Sequence, residues 1–226
     1  MLTIMNNLQS TGDNIWRVEG MLSSVWTAVL SEYVPQRTRF SDLVQRAREQ
    51  EGLSMSDIRE DLCGLDLART CSIMMRCMGW TEQGCGTALK QSLFGDNNCF
   101  VDIIPKELLF DSTLSVEQFM LKLRDCDADI DKALQKRSGG HGRQLRCVVD
   151  LDSESEQCHV NITCVEDGDM FAAVKEANVA MKLVTDVYDT DNPLFVSGKG
   201  VGADVTVGGL LMDMSRIAAV MDTASV

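Results

Sequence analysis

The chain has 226 residues, 45% of them apolar, which is enough for one large or two small domains with a sizeable core. A formal net charge of −13, from 34 acidic against 21 basic residues, argues against a nucleic-acid surface, which needs clustered Lys and Arg. No run approaches the roughly 18 apolar residues of a membrane span, and MLTIMNNLQST lacks a basic region before an apolar one. A soluble cytosolic protein is expected.

Met1 to Leu8 reads as the end of a helix that stops at Gly12 and Asp13. It begins without a turn or cap, which suggests a missing N-terminal part. From Val18 to Tyr33, Met21, Leu22, Val25, Val29 and Leu30 fall near helical spacing, although Val25 to Thr27 also suits a strand. Ser41 can cap a helix running to about Glu51, with Gly52 as its stop. The next helix opens near Asp57, where Asp57 and Glu60 form a D-x-x-E capping pattern, and runs to Gly79. Leu62, Leu65, Arg69 and Ile73 recur along one of its faces, while Asp66 and Thr70 lie one turn apart on another.

Residues 81–98 are rich in Gly, Thr, Ser and Asn and read as a loop, followed by a short strand over 100–104. Ser115 to Asp125 has the pattern of a capped amphipathic helix, with a second helix to Arg137 before the break at Gly139, Gly140 and Gly142. Then the period changes to two. Leu145, Cys147 and Val149 alternate with polar neighbours, DSESE makes a turn, and His159 to Val165 alternates again, which is a hairpin signal. Two more strands are expected over 180–188 and 193–196, then a glycine-rich turn at 198–202 and a final helix from Val205 to Met221. Helices and antiparallel strands are partly segregated, so the fold class is α+β: a mixed, largely antiparallel sheet covered by helices, in a single domain over 1–226.

Nine cysteines form no C-x-x-C pair, and only His141 and His159 are available beside them, so no metal site is expected. Scattered through apolar segments, the cysteines suit reduced core thiols. Two carboxylates near a helix start, Asp61 and Asp66, can hold an ammonium or orient a water or hydroxyl for proton transfer. Acids at that position serve equally as caps and solvated charge. The stretch G-K-G-V-G at 198–202, after a strand and before a helix, lets backbone approach a phosphate or a flat ring. It lacks the G-x-G-x-x-G spacing, leaves too little chain for a βαβ unit, and also suits a plain strand-to-helix turn.

Taken in order, RVEGMLSS at 17–24, FSD at 40–42, REDLCGLDLAR at 59–69, IIPKEL at 103–108 and GKGVGADVTVGGLLMD at 198–213 resemble homoserine dehydrogenase. The family patterns are approximately GYTEPDPRDDLxGxDVARK and GxGAGxxVTAxGVxxD. The resemblance covers almost the whole chain and corresponds to the family's C-terminal catalytic and dimerisation region, with no counterpart of its N-terminal Rossmann domain. It implies NAD(P)-dependent interconversion of aspartate semialdehyde and homoserine, on the route to threonine and methionine. It further implies a homodimer paired through its sheet; a separate dinucleotide-binding chain is one further partner to expect, and loss of that domain is the alternative. By resemblance Asp66 is the catalytic acid, Asp61 binds substrate, and Gly200, Val201 and Gly202 lie beside the nicotinamide.

The departures carry their own expectation. The family's lysine is Thr70 here, its substrate-binding glutamate is Met55, and its tyrosine is Leu53; Ser24, Val25 and Ala28 replace a glycine, a threonine and another tyrosine. Thr70 is neutral and cannot polarise a carbonyl oxygen as an ammonium does. The isolated chain is therefore expected to be inactive. The alternatives are a non-catalytic dimerisation or scaffolding module derived from the enzyme, or a truncated gene product.

Overall fold

The computed structural model describes residues 1–50, 57–93, 103–139 and 144–223. After a first helix, α1 (Leu2–Ser10), the helix expected over 18–33 divides into a strand, β1 (Ile15–Met21), and a helix, α2 (Ser24–Glu32). Val18 and Met21 are fully buried, and β1 is hydrogen-bonded along both edges. This two-sided pairing overrides the local helical spacing as far as Met21. The helix starts where Ser23 caps it, the Ser23 hydroxyl accepting from the Trp26 N–H at 3.3 Å.

The remaining strands are β2 (Gln144–Asp152), β3 (Gln157–Val165), β4 (Asn178–Thr185) and β5 (Leu194–Lys199). The sheet order is β3-β2-β1-β4-β5 and each pairing is antiparallel. The expected α+β class therefore forms, with its hairpin where the period of two places it. Leu145, Cys147, Val149 and Leu151 of β2 are buried with Cys158, Val160 and Ile162 of β3, in one core with the helices. Val18 of β1 and Met181 and Leu183 of β4 join them.

Several helices differ from expectation for identifiable reasons. Helix α3 (Phe40–Glu49) takes Ser41 inside its first turn, not as its cap. The Ser41 N–H and hydroxyl both donate to the Asp127 carboxylate, at 2.8 and 2.6 Å, so a residue 86 positions away caps the helix. The single helix over 57–79 is broken into α4 (Ile58–Leu62) and α5 (Leu65–Cys77) by Cys63 and by Gly64, whose φ of 74° is left-handed. The break rotates the buried face. Leu65 and Ile73, expected alongside Leu62, are exposed, while Leu67, Ala68, Cys71, Met74 and Met75 enter the core.

The loop expected over 81–98 contains helix α6 (Glu82–Leu93), because Cys85 and Ala88, three residues apart, bury against α5 and β3. Of the strand expected over 100–104, Ile103 and Ile104 are buried without joining the sheet; 100–102 lie outside the described residues, as do Gly52, Gly140 and Gly142. A short helix, α7 (Lys106–Leu109), precedes α8 (Val116–Asp125) and α9 (Asp127–Arg137). The Ser115 cap of α8 closes a full capping box with Gln118. A 3-10 turn covers Met170–Ala173, and the chain continues through β5 into α10 (Ala203–Thr223). No helix among the described residues is long and apolar enough to cross a membrane.

Replacing Asp127 by Ala removes the cap of α3 and leaves its orphan donors unpaired. The expected loss is about 1–2 kcal/mol of unfolding free energy, read as a lower urea midpoint with an unchanged slope; a change below about 0.5 kcal/mol shows that α3 does not depend on the cap.

Candidate functional site

Three segments distant in sequence meet at a cavity of about 610 Å³. The α4–α5 break supplies Asp61, Asp66 and Thr70, the β5–α10 turn supplies Gly200 and Val201, and the β1–α2 junction supplies Ser23 and Ser24. The sequence-predicted residues thus come together, except that Gly202 does not line the cavity. Gly202 instead accepts, through its carbonyl, from the Thr206 N–H at 3.1 Å in the first turn of α10. Met55 and Leu53 lie outside the described residues.

Each wall is fixed by local chemistry. Trp26, fully buried on α2, donates its indole N–H to the Asp61 carbonyl at 3.2 Å. Its ring lies 6.0 Å from Phe40. Arg59 ties α4 down from the other side: its guanidinium pairs with Asp57 at 2.6 Å, donates to the Asp111 carbonyl at 2.8 Å and sits over the Phe119 ring. The Arg59 guanidinium holds the Asp57 carboxyl below the usual carboxylate range. Burial pushes the Cys63 thiol up, which keeps it protonated next to the acids.

The β5–α10 turn depends on a missing side chain. A Cβ on Gly200 would stand 2.3 Å from the Ser24 hydroxyl oxygen, 2.6 Å from a Val179 methyl and 3.1 Å from the Ala177 carbonyl oxygen. Only glycine lets this backbone lie against α2 and β4, and that contact brings α10 over the cavity.

Sequence reasoning missed Arg216, Thr3 and Val179. Gly209, Met212, Asp213 and Arg216 of α10 line the cavity at helical spacing, the one local signal for them. Arg216 donates to the Thr3 hydroxyl at 3.0 Å and lies 4.0 Å from Asp213. Among the described residues the lining carries three carboxylates, Asp61, Asp66 and Asp213, against one guanidinium. Such a surface suits a ligand with a positively charged end, while Leu22, Val25, Met74 and Val201 offer an apolar wall. Thr70 donates its hydroxyl proton to the Asp66 carbonyl at 3.2 Å.

The lining tests the fit of a nicotinamide cofactor. The Gly200–Val201 backbone can meet a flat ring, but each strand pairing is antiparallel, so the described residues contain no parallel βαβ crossover to cradle a dinucleotide. The described residues by themselves offer a surface for the ring and no cradle for the rest of a dinucleotide.

Comparison with known proteins gives one consistent family. The model described as homoserine dehydrogenase matches residues 1–214. A homoserine dehydrogenase of Saccharomyces cerevisiae is 29% identical over 221 residues, covering 96% of this chain and 57% of that protein. The chloroplastic bifunctional aspartokinase/homoserine dehydrogenase 1 of Arabidopsis thaliana is 32% identical over 218 residues, covering 96% of this chain and 22% of that protein. The chain thus spans little more than half, or less, of the relatives it matches. Among solved structures, a Candida auris protein of unknown function has a TM-score of 0.75 at 27% identity, covering 97% of this chain and 57% of that one. A homoserine dehydrogenase from Thiobacillus denitrificans, at 16% identity and a TM-score of 0.62, covers 94% of this chain and 41% of its own and shares the fold.

Two measurements check this geometry. Gly200→Ala is expected to destabilise the chain by about 1–3 kcal/mol through overpacking, and Ser24→Gly in the same chain to recover part of that loss; full stability of Gly200→Ala refutes the close approach. For Asp57, a folded pKa depressed below the unfolded value makes the Arg59 pair's stabilisation complete above pH of about 4. It is lost as pH falls through the depressed value. The stability gap between the native chain and Asp57→Asn should accordingly close on acidification, and a gap independent of pH excludes the ion pair.

Proposed function

Because this chain belongs to the homoserine dehydrogenase family, we propose that its cavity is the substrate half of a site for NAD(P)-dependent interconversion of aspartate semialdehyde and homoserine. In isolation the chain does not turn these compounds over. The observation that carries this reading is the convergence of Asp61, Asp66 and Thr70 on one cavity beside Gly200 and Val201.

Reduction of the aldehyde places a hydride on the carbonyl carbon and requires a proton at its oxygen. The cofactor supplies the hydride when bound. Asp61 and Asp66 hold the substrate ammonium and orient the reacting oxygen. The residue one turn beyond Asp66 should then stabilise charge at that oxygen, and here it is a threonine whose proton is already engaged. A neutral hydroxyl titrates far above neutral pH and does not replace an ammonium. The fold and the acids are kept, and proton delivery is lost.

The chain pairs as a homodimer and works in the cytosol, a reducing setting that suits eight free thiols among the described residues.

Homoserine binding, followed by calorimetry, should survive in the native chain and weaken about tenfold or more in Asp61→Asn, as a charged hydrogen bond is lost. No oxidation of NAD(P)H with aspartate semialdehyde is expected from the chain alone. With a dinucleotide-binding domain added, Thr70→Lys should raise the rate by about 10²-fold. Turnover by the isolated native chain overturns the inactivity, and absence of homoserine binding overturns the site.

A further inference from the structure

The cavity that carries the acids also carries a cation. Arg216 of α10 is, among the described residues, the one basic side chain of the lining. Two groups stand beside its guanidinium. Along its own helix Asp213 lies at 4.0 Å, the outer limit of an ion pair, and exposed helical pairs of this kind contribute little. Across to α1, the Thr3 hydroxyl accepts from Nη1 at 3.0 Å. The guanidinium is therefore drawn off its own helix toward Thr3, which lines the same cavity. That partner is neutral: it takes one N–H donor of several and offsets none of the charge. Arg17 shows the contrast, giving two N–H bonds to the Asp150 carboxylate at 2.7 and 2.6 Å. Arg216 makes no such forked pair with Asp213.

We infer that Arg216 is the group of this cavity that takes the α-carboxylate of the amino-acid substrate, with its guanidinium oriented by the Thr3 hydroxyl. The inference rests on the reading of the cavity as a site for aspartate semialdehyde and homoserine. It goes beyond that reading by assigning a residue past position 214, where the family match ends. Its ground is charge. An α-amino acid carries its ammonium and its carboxylate on one carbon, so a site that holds the first on acids brings the second among like charges. A lining with Asp61, Asp66 and Asp213 alone would repel the carboxylate and favour an amine that has none. A guanidinium in the same lining reverses that preference, because it meets a carboxylate with two parallel N–H bonds and keeps its charge at any working pH. Thr70 cannot serve instead, since its proton is on the Asp66 carbonyl, and a serine hydroxyl offsets no charge. The cofactor's phosphates are the competing anion. A dinucleotide has no cradle among the described residues, whereas an amino acid of this size lies wholly inside a cavity of about 610 Å³. The carboxylate is thus the anion that the site itself brings to Arg216.

Calorimetry with homoserine and with homoserinamide, in which a neutral amide replaces the carboxylate, tests it on the full chain. The native chain should bind homoserine more tightly than the amide. Arg216→Gln should weaken homoserine about 10- to 100-fold, the loss of a charge-assisted pair, and change the amide's affinity by less than about 3-fold. Arg216→Lys should keep part of the homoserine affinity, since the charge stays and the fork is lost. Circular dichroism and melting should be native in both variants, because the side chain is half exposed. An equal loss for homoserine and its amide shows that Arg216 only supports the wall and overturns the inference, as does homoserine binding unchanged by Arg216→Gln. Weakened NADPH binding with homoserine unaffected assigns the guanidinium to a cofactor phosphate and overturns it too. These three outcomes leave the reading of the cavity standing. A native chain that binds no homoserine overturns that reading and this inference with it.

Discussion

The indole of Trp26 connects the two halves of this molecule. It is buried on the helix that follows the central strand, and its N–H reaches the backbone carbonyl of Asp61. The sheet fixes α2, α2 fixes Trp26, and Trp26 fixes the segment that carries the acids. A buried indole N–H must find an acceptor. The acceptor chosen here is a main-chain carbonyl at the point where α4 ends. The acids' position is therefore set by core packing and not by the acids themselves. Arg59, on the other side of α4, completes the clamp through Asp57 and the Asp111 carbonyl.

That arrangement places the shape of the site in the core. Neither the Trp26 hydrogen bond nor the Arg59 clamp involves the side chain at position 70. Thr70 folds back on its own helix, hydrogen-bonded to the carbonyl four residues earlier, as a serine or threonine in a helix commonly does. The residue is thus satisfied within its own helix whatever the cavity binds. The Gly200 contact has the same character. It is demanded by the packing of the β5–α10 turn on Ser24 and Val179, so the glycine is needed whether or not a nicotinamide lies beside it.

Local signals in the sequence proved dependable where the local chemistry is closed. The Ser115–Gln118 box is satisfied within four residues and marks α8 correctly. The alternation of Leu145, Cys147 and Val149 marks β2 and its hairpin partner because both strands bury one face and are joined by a short turn. The signals failed where a distant partner decides. Helix α6 is rich in Gly and Thr and becomes a helix because Cys85 and Ala88 find α5 and β3. Ser41 does not cap α3 because the Asp127 carboxylate arrives from another helix. Leu65 and Ile73 leave the core because Gly64 turns left-handed and resets the helical face.

The sequence by itself determined the fold class, the strands of the hairpin, the family likeness and the identity of Asp61, Asp66, Thr70 and Gly200, since these reside in residue order and short-range spacing. Only the tertiary structure decided that β1 is the central strand, that α10 turns one face to the cavity, and that Arg216 and Thr3 share the cavity with the acids. The physical reason is the same in each case. These features require segments up to 213 residues apart to meet, and what brings them together is burial against a shared sheet, a property no local pattern encodes.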